Sequence, residues 1–352
     1  MDFPGRMTEV LYHLYYFSGT GNTESSVRSI AEALEKDGCE VRTRYISRNA
    51  LPFPDTPDRV VLAYPTYAWR PPILVSRFIR RLPRGKGTEA AVFTADGGGS
   101  YGSTDAAERM LRRRGYRTVL KGAAHYPENW VQMTPPPEGD ARARGVEAGL
   151  AGTGEFIRAL RTGAALKRER SGIDGLLNFV GILFGAFGRH FLGKLFIADE
   201  DCTSCGLCAR SCPAGVIRLG KEPGARPRWT WGCESCNRCM NLCPSRAINT
   251  SVFRGIGLIA LTSLAATLGF RVYGGASAYL KGILPSPATA LVDPIAGTLI
   301  VIAATVLALT VLDAGVLMPL QRTPLLRRLA RRSFTKRFPR YSFEGYRPPS
   351  ER

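Results

Sequence analysis

The sequence predicts an α/β doubly wound parallel sheet, followed by a small α+β domain and a two-helix transmembrane segment. Three observations predict this order. A β-rich segment runs into a Gly/Ser/Thr loop and a helix near the N-terminus, eight of the nine cysteines form two copies of one spacing, and two long apolar segments follow. The expected boundaries are 1–163 for the sheet, 164–195 for a linker, 196–250 for the cysteine-rich domain, 251–320 for the helix pair and 321–352 for a basic tail.

The cysteine spacing is the most specific pattern in the chain. Both copies read C-x2-C-x2-C-x3-C-P, a pattern that binds two [4Fe-4S] clusters and whose fourth cysteine ligates the other cluster. We therefore expect Cys202, Cys205, Cys208 and Cys243 to hold one cluster, and Cys233, Cys236, Cys239 and Cys212 to hold the second.

Disulfides and zinc sites explain this pattern less well. Disulfides need an oxidising compartment, and no secretory signal precedes residue 20. Two zinc sites would leave the third cysteine of each copy and the proline after the fourth without a use. The ninth cysteine, Cys39, has no partner at ligand spacing and is expected to be a reduced thiol at the edge of a strand.

Short apolar segments flank the two cysteine runs, at 196–199, 216–219 and 247–249. With these segments, residues 197–250 resemble the bacterial two-cluster ferredoxin domain. The resemblance implies short antiparallel strands beside each run, related by a pseudo-twofold axis. It also implies that the small residues Gly206 and Ala214 let backbone N–H groups approach the cluster sulfides.

The N-terminal loop at 18–23 follows the β-rich run 11–17 and precedes a segment of helical period. Such a loop binds anions, because free N–H groups and the helix dipole point at it, although it is also typical of an ordinary helix N-cap. It has no lysine, so it is not a P-loop. Its hydroxyl and amide groups suit one phosphate monoester, and it resembles the FMN phosphate loop of flavodoxins. The residues expected there are Ser18, Gly19, Thr20, Gly21, Asn22 and Thr23.

Two later strands, at 59–64 and 90–94, also end in loops. In a sheet of order 2-1-3-4-5, ligands bind beyond the carboxyl ends of strands 1, 3 and 4. The flavodoxin resemblance implies that these loops hold the isoalloxazine ring, whereas a core role is the simpler alternative for their aromatic residues. It places Tyr67, Trp69 and Tyr101 beside the ring, and the N–H groups of Gly97, Gly98 and Gly99 near its N1–C2=O edge. A strand near 118–125 and a helix near 138–162 should close the domain, with Asn129 approaching the cofactor.

Two apolar segments predict membrane insertion. Residues 294–312 are uncharged and would span ~28 Å as a helix, and a second segment covers 255–270 and extends past Arg271, which must reach the interface or face a partner helix. A buried hairpin of a soluble domain is the alternative. The basic tail predicts that both termini and both redox domains are cytoplasmic in a multi-pass protein of the cell membrane.

Two further segments bear on the membrane. Residues 175–188 are apolar but too short to span, which favours an interfacial helix with Arg189, His190 and Lys194 at headgroup level; packing against the first domain is the alternative. The tail carries ten Lys and Arg against two Glu, which favours contact with membrane lipid over nucleic acid.

Residues 10–250 together resemble the family of flavodoxin/ferredoxin fusion proteins, here with a C-terminal membrane anchor. The resemblance implies FMN and two [4Fe-4S] clusters as cofactors. We therefore expect a membrane-anchored electron carrier whose redox donor and acceptor the sequence does not identify. A flavin-dependent reductase with a substrate over the flavin, or an electron-transfer subunit of a larger membrane complex, are the alternatives.

Overall fold

The five-stranded parallel sheet of the N-terminal domain is ordered β2-β1-β3-β4-β5 in the computed structural model. The structure describes residues 10–100, 102–166, 172–222, 224–281, 286–320, 323, 325, 329 and 332–349. Its strand order is the flavodoxin-like doubly wound order. The strands are β1 (Leu11–Tyr16), β2 (Glu40–Tyr45), β3 (Arg59–Pro65), β4 (Glu89–Asp96) and β5 (Arg117–His125).

Four helices cover the two faces of this sheet. The central strands β1, β3 and β4 are almost entirely buried, as expected for parallel strands with helices on both sides. Edge strand β2 is largely exposed and polar, and Cys39, which forms no disulfide, lies directly before it. The helices are α1 (Asn22–Lys36), α2 (Ile73–Arg81), α3 (Ser103–Arg113) and α4 (Gly139–Thr162).

The cysteine-rich domain has two short antiparallel strand pairs, as the ferredoxin resemblance implied. Strand β6 (Phe196–Ala198) pairs with β9 (Ile248–Thr250), and β7 (Ile217–Arg218) pairs with β8 (Arg228–Trp229). Each cysteine run contains one short helical turn, α7 (Leu207–Arg210) in the first and α8 (Arg238–Asn241) in the second. The duplicated sequence therefore folds into a duplicated structure.

The segment between the two domains forms a longer helix than its apolar run predicted. Helix α5 (Asp174–Leu183) continues through a π-helical turn (Phe184–Gly188) into α6 (Arg189–Leu195). The expectation of charges at headgroup level is wrong for Arg189, which is buried and donates to the carbonyl oxygen of Cys233 at 2.9 Å. His190 is buried as well and accepts from the N–H of Gly232. Arg189 and His190 thus face the cysteine-rich domain.

Helix α5 also packs against the N-terminal domain, which was the alternative considered for it. Gly181 lies against the carbonyl oxygen of Ala68, and Arg70 donates to the side chain of Asn178. Its opposite face is apolar and exposed, with Leu176 62% and Phe179 55% accessible. One face therefore contacts protein, and the other has no protein cover among the described residues.

The two long apolar segments form an antiparallel helix pair. Helix α9 (Val252–Lys281) is followed by α10 (Ser286–Leu307), which runs through a π-helical segment (Ala308–Leu317) into α11 (Met318–Leu320). Both helices extend beyond the predicted 255–270 and 294–312. Gly257 and Gly269 allow close approach, since a methyl group on either would lie within 2.8 Å of a side chain of the partner helix.

Three helical segments among the described residues are long and apolar enough to cross a membrane: Asp174–Leu195, Val252–Gly275 and Val292–Leu317. They meet at one charged cluster beside the cysteine-rich domain. Asp313, fully buried, pairs with Lys194 at 2.9 Å and with Arg254, and Arg254 donates to the Lys194 carbonyl oxygen. A buried carboxylate with two cations is compensated, so the cluster fixes the helix pair to α6.

The described part of the basic tail lies on protein. Lys336 pairs with Asp199 and Asp201. Arg340 donates to the carbonyl oxygen of Ile248 at 3.1 Å and to the side chain of Asn249 at 2.9 Å. Lys336 and Arg340 thus bind carboxylates and carbonyl groups of the cysteine-rich domain. Lipid contact of the tail stays a prediction.

Candidate functional site

The loop at 18–23 connects β1 to the first turn of α1. The Gly21 N–H donates to Ser18 Oγ at 3.1 Å, which turns the loop back on itself, and Gly21 adopts a φ of 109°. Among the described residues, no acceptor takes the N–H groups of Gly19, Thr20, Asn22 or Thr23. Unpaired N–H groups at a helix N-terminus suit a phosphate, so the loop fits the group that its sequence predicted.

This loop forms one side of a cavity of about 500 Å³. The loops after β3 and β4 form other sides and contribute Tyr67, Trp69 and Gly97 to Gly99. The buried Thr66 Oγ1 and Asp96 Oδ2 have no hydrogen-bond partner within the described part of the chain, and both belong to residues of the same lining. A cavity of this size with an anion loop at one end and aromatic residues beyond fits FMN.

The geometry differs from expectation at the glycines after β4. The N–H groups of Gly98 and Gly99 donate to Asp96 Oδ1, at 3.2 and 2.7 Å, because the carboxylate turns back onto its own loop. Gly97, Gly98 and Gly99 all line the cavity, and the approach of their N–H groups to the ring edge stays a prediction. Tyr101 lies outside the described residues. Asn129 lines the cavity and donates to Thr20 Oγ1.

The first predicted cysteine group is brought together. Cys202, Cys205 and Cys208 of the first run line one small cavity with Cys243 of the second run and Pro244. Burial, and then the neighbouring thiols Cys243, Cys202 and Cys205, raise the pKa of Cys208 to about 12. Because clusters bind thiolates, iron must displace protons from these groups.

The second predicted group lies deeper in the molecule. Cys233 and Cys239 are buried, and Cys212 of the first run lies near all three cysteines of the second. Burial raises the pKa of Cys236 to about 11, while the Arg238 guanidinium acts in the opposite direction. Both fourth cysteines therefore lie beside the run to which they do not belong.

The eight cysteines lie in the two groups of four that the spacing predicted. Cluster ligands lie around a cube instead of one atom. The grouping fits two cubes. Across the described residues, no three His, Cys, Asp or Glu side chains are placed to hold a single metal ion.

The cysteine-rich domain forms part of the wall of the larger cavity. Ser235, Cys236 and Asn237 line it beside the phosphate loop. A methyl group on Gly19 would lie 3.2 Å from the carbonyl oxygen of Cys236 and 2.8 Å from the hydroxyl oxygen of Tyr67. A ligand in this cavity therefore lies directly against the second cysteine run.

Arg238, which lies between Cys236 and Cys239, joins the two domains. It is 2% exposed and donates to the carbonyl oxygens of Gly19 and Ser211, each at 2.8 Å. It also donates to the carbonyl oxygen of Ser18 and to the Tyr45 hydroxyl. Four bonds from one buried guanidinium fix the phosphate loop relative to the second cysteine run.

Sequence reasoning missed these domain contacts. Val180 and Phe184 of the linker helix line the cavity, as does Trp130. From the tail, Phe343 donates its N–H to the carbonyl oxygen of Thr20 at 2.8 Å. The sequence offers only a weak signal for these contacts. Arg238 occupies a spacer position of the cysteine pattern, where any residue type fits, and the aromatic residues of the tail lie in a segment whose most evident feature is its basic charge.

Comparison with known proteins agrees with the two-domain organisation. A family model described as a 4Fe-4S dicluster domain matches residues 201–248. No curated protein sequence matches the chain.

Solved structures similar to the N-terminal part include several flavodoxins. The flavodoxin of Megasphaera elsdenii is 21% identical, with 41% of this chain and 98% of that chain covered and a TM-score of 0.28. The flavodoxin of Streptococcus pneumonia TIGR4 is 16% identical, with 43% of this chain and 99% of that chain covered and a TM-score of 0.29. The rubredoxin oxygen:oxidoreductase of Desulfovibrio gigas is 16% identical with a TM-score of 0.30, over 44% of this chain and only 36% of that chain.

The chain thus joins a flavodoxin-like domain, defined by its strand order, to a 4Fe-4S dicluster domain. Domains of these two kinds carry electrons on flavin and on iron–sulfur clusters. Its apolar helices are of a length and composition typical of a membrane protein.

Proposed function

We propose that the protein is a membrane-anchored electron carrier in which FMN in the large cavity exchanges electrons with two [4Fe-4S] clusters. A flavin takes up two electrons and releases them singly, whereas each cluster carries one. The residues of this chain set the distances between the flavin and the clusters and the polarity of their surroundings. The observation that carries the proposal is the cavity wall shared by the phosphate loop and by Cys236.

The positions of the cysteines support an order for the electron path. Cys236 belongs to the deeper group and lines the flavin cavity, whereas Cys205 belongs to the other group and is exposed. The group of Cys233, Cys236, Cys239 and Cys212 would hold the cluster beside the flavin. The group of Cys202, Cys205, Cys208 and Cys243 would hold the cluster that faces an external partner.

The chain's own residues would bind the flavin and limit its access to water. The free N–H groups of Gly19 and Asn22 are suited to the phosphate, and Tyr67 and Trp69 to the ring. Phe184 of the linker helix adds an apolar wall. Excluding water there would strengthen the electrostatic interactions that hold the anionic cofactor.

Contacts between the domains support a topology of two crossings. Arg238 binds the phosphate loop, so the two redox domains lie on one side, and α5 with α6 cannot cross between them despite sufficient length. The tail returns to the same side of the membrane, because the N–H of Tyr341 donates to Asn241 Oδ1 at 2.9 Å in the cysteine-rich domain. The chain between residues 251 and 333 must then cross an even number of times, which fits the pair α9 and α10.

The charge of the tail and the exposed apolar surface of α5 support the proposed orientation in the membrane. The basic residues of the tail favour the cytoplasmic side for both redox domains and both termini. The exposed face of α5, with Leu176, Phe179 and Leu183, would lie in the interface of the same membrane. Membrane lipid is thus the proposed partner of this face, and the redox donor and acceptor are proteins not yet identified.

Anaerobic purification in detergent tests the proposal. We expect one flavin and two clusters per chain, and light-driven reduction of the flavin should produce the paramagnetic signals of reduced clusters at a rate independent of protein concentration. Cys236→Ser should slow this reduction with flavin still bound, whereas Cys39→Ser should not. A chain without flavin, or cluster reduction that is equally fast after flavin removal, would contradict the proposal.

A further inference from the structure

A second cavity, of about 710 Å³, lies between the sheet domain and the first cysteine run. Its walls come from the segment after β2 and from the chain around Cys212. Among the residues that the structure describes, four arginines line it and no acidic residue does: Arg48, Arg210, Arg218 and Arg238. The flavin and cluster sites use only Arg238, so the other three cations are unexplained by the proposed function.

The three outer arginines have no counter-charge among the described residues. None of Arg48, Arg210 and Arg218 forms an ion pair within the part of the chain that the structure describes. Arg210 donates to the carbonyl oxygen of Cys205 at 2.9 Å, while the guanidinium groups of Arg48 and Arg218 make no hydrogen bond to a described residue. Like charges gathered around one concavity repel one another, and an anion between them removes that cost.

The walls of the cavity are held in place without a ligand. The Arg48 N–H donates to the carbonyl oxygen of Pro213 at 2.9 Å, across the domain boundary. The Arg48 carbonyl oxygen accepts from Arg81 at 3.0 Å, and Arg238 holds the carbonyl oxygen of Ser211 on the other wall. The three outer arginines therefore extend as exposed side chains from a backbone that is held in place, which limits the ordering that a ligand must impose.

We propose that this cavity binds a small phosphate-bearing anion with at least two negative charges. Guanidinium groups present paired donors that match phosphate oxygens, and the volume lies in the range of small-molecule sites, roughly 300–1,000 Å³. Ser47 and Asn49 in the lining add neutral hydrogen-bonding groups. A concave site with buried Arg238 as part of its wall suits a small anion better than the convex acidic surface of a protein.

The position of Cys212 gives the anion a consequence for electron transfer, and this step rests on the proposed function. Cys212 lines the cavity and belongs to the cysteine group beside the flavin. Negative charge beside a cluster disfavours the addition of an electron. The anion therefore binds the oxidised protein more tightly than the reduced protein, and by linkage it lowers the tendency of that cluster to accept electrons.

Calorimetric titration of the full-length protein in detergent with inorganic pyrophosphate tests the site. We expect saturable 1:1 binding, weakened roughly tenfold or more by the double variant Arg48→Gln/Arg218→Gln through loss of charge-assisted bonds. The charge-matched control is Arg80→Gln/Arg112→Gln, two exposed arginines away from the cavity lining, which should leave the affinity within about twofold. Dithionite reduction should weaken binding by about fivefold.

Nanodiscs distinguish the two sources of phosphate. Equal pyrophosphate affinity in neutral and phosphatidylglycerol-containing discs identifies a soluble phosphate compound, whereas competition that depends on Arg48 and Arg218 identifies the lipid phosphate. Both results support a phosphate site.

Two results would overturn the proposal: no saturable binding of pyrophosphate, or an equal loss of affinity in the control variant. A poly-glutamate peptide that binds where pyrophosphate does not would instead identify an acidic protein segment as the occupant. Calorimetry reads binding whether or not flavin and clusters are loaded. A failure of the proposed function is therefore distinguishable from a failure of this site.

Discussion

The hydroxyl of Tyr341 donates to Asn22 Oδ1 at 2.7 Å, joining two residues that are 319 positions apart. Asn22 is the first residue of α1 and part of the phosphate loop. Tyr341 is buried and follows both apolar helices in the chain. The tail is thus a structural part of the flavin site.

Tyr341→Phe is expected to weaken FMN binding about fivefold, because the loss of one buried hydrogen bond costs ~1 kcal/mol and leaves Asn22 less well fixed. Titration of the deflavinated protein with FMN, followed by flavin fluorescence, measures the change. Tyr12→Phe is the matched control, since its hydroxyl accepts from Arg59 far from the cavity. Equal affinities for the two variants would show that the tail does not support the loop.

Arg238→Lys is expected to destabilise the contact between the two redox domains by on the order of 3 kcal/mol. Lysine retains the charge, but its single ammonium group cannot reach all the acceptors that the planar guanidinium of arginine contacts. The buried carbonyl oxygens of Ser18 and Ser211 therefore lose their donors. Denaturant unfolding and flavin release should change together. Arg228→Lys, at an exposed position of β8, provides the control. Normal unfolding with flavin retained would argue against Arg238 as the connection.

Cys212→Ala is expected to perturb the cluster held by Cys233, Cys236 and Cys239, although Cys212 belongs to the first run. Cys243→Ala should perturb the other cluster, because each fourth cysteine lies beside the opposite run. Paramagnetic resonance of the two reduced clusters, with iron counted per chain, separates these outcomes. Damage confined to the cluster of the altered run would reverse the assignment.

Cysteine labelling in intact cells tests the topology. With two crossings, Ser286→Cys at the start of α10 should react with an impermeant thiol reagent, whereas Glu344→Cys in the tail should react only after permeabilisation. Glu344 is exposed, so burial does not explain its protection. Labelling of Glu344→Cys alone would reverse the orientation. Extraction of the chain by carbonate would show that the apolar helices form a soluble hairpin.

The elements and the cysteine groups were predictable because local patterns determine them. The loop at 18–23 lies between a strand and a helix, and β5 and α4 begin within one residue of expectation. The long-range contacts were not predictable in the same way. Nothing local indicates that Arg238 binds Gly19, 219 positions earlier, or that the charged end of the linker helix faces Cys233. These depend on how the domains pack, which periodicity does not encode.

The contact between the tail and Gly21 also joins the last-synthesised part of the chain to one of the first. A methyl group on Gly21 would lie 2.6 Å from the Cβ atom of Phe343 and 2.9 Å from that of Tyr346. Both aromatic residues emerge from the ribosome only after α9 and α10 have been synthesised. A nascent chain can therefore complete its cysteine-rich domain before its phosphate loop acquires these neighbours. If the helix pair enters the lipid as proposed, firm capture of flavin would follow that insertion, and a chain cut short before Phe343 is expected to carry iron with a weakened hold on flavin.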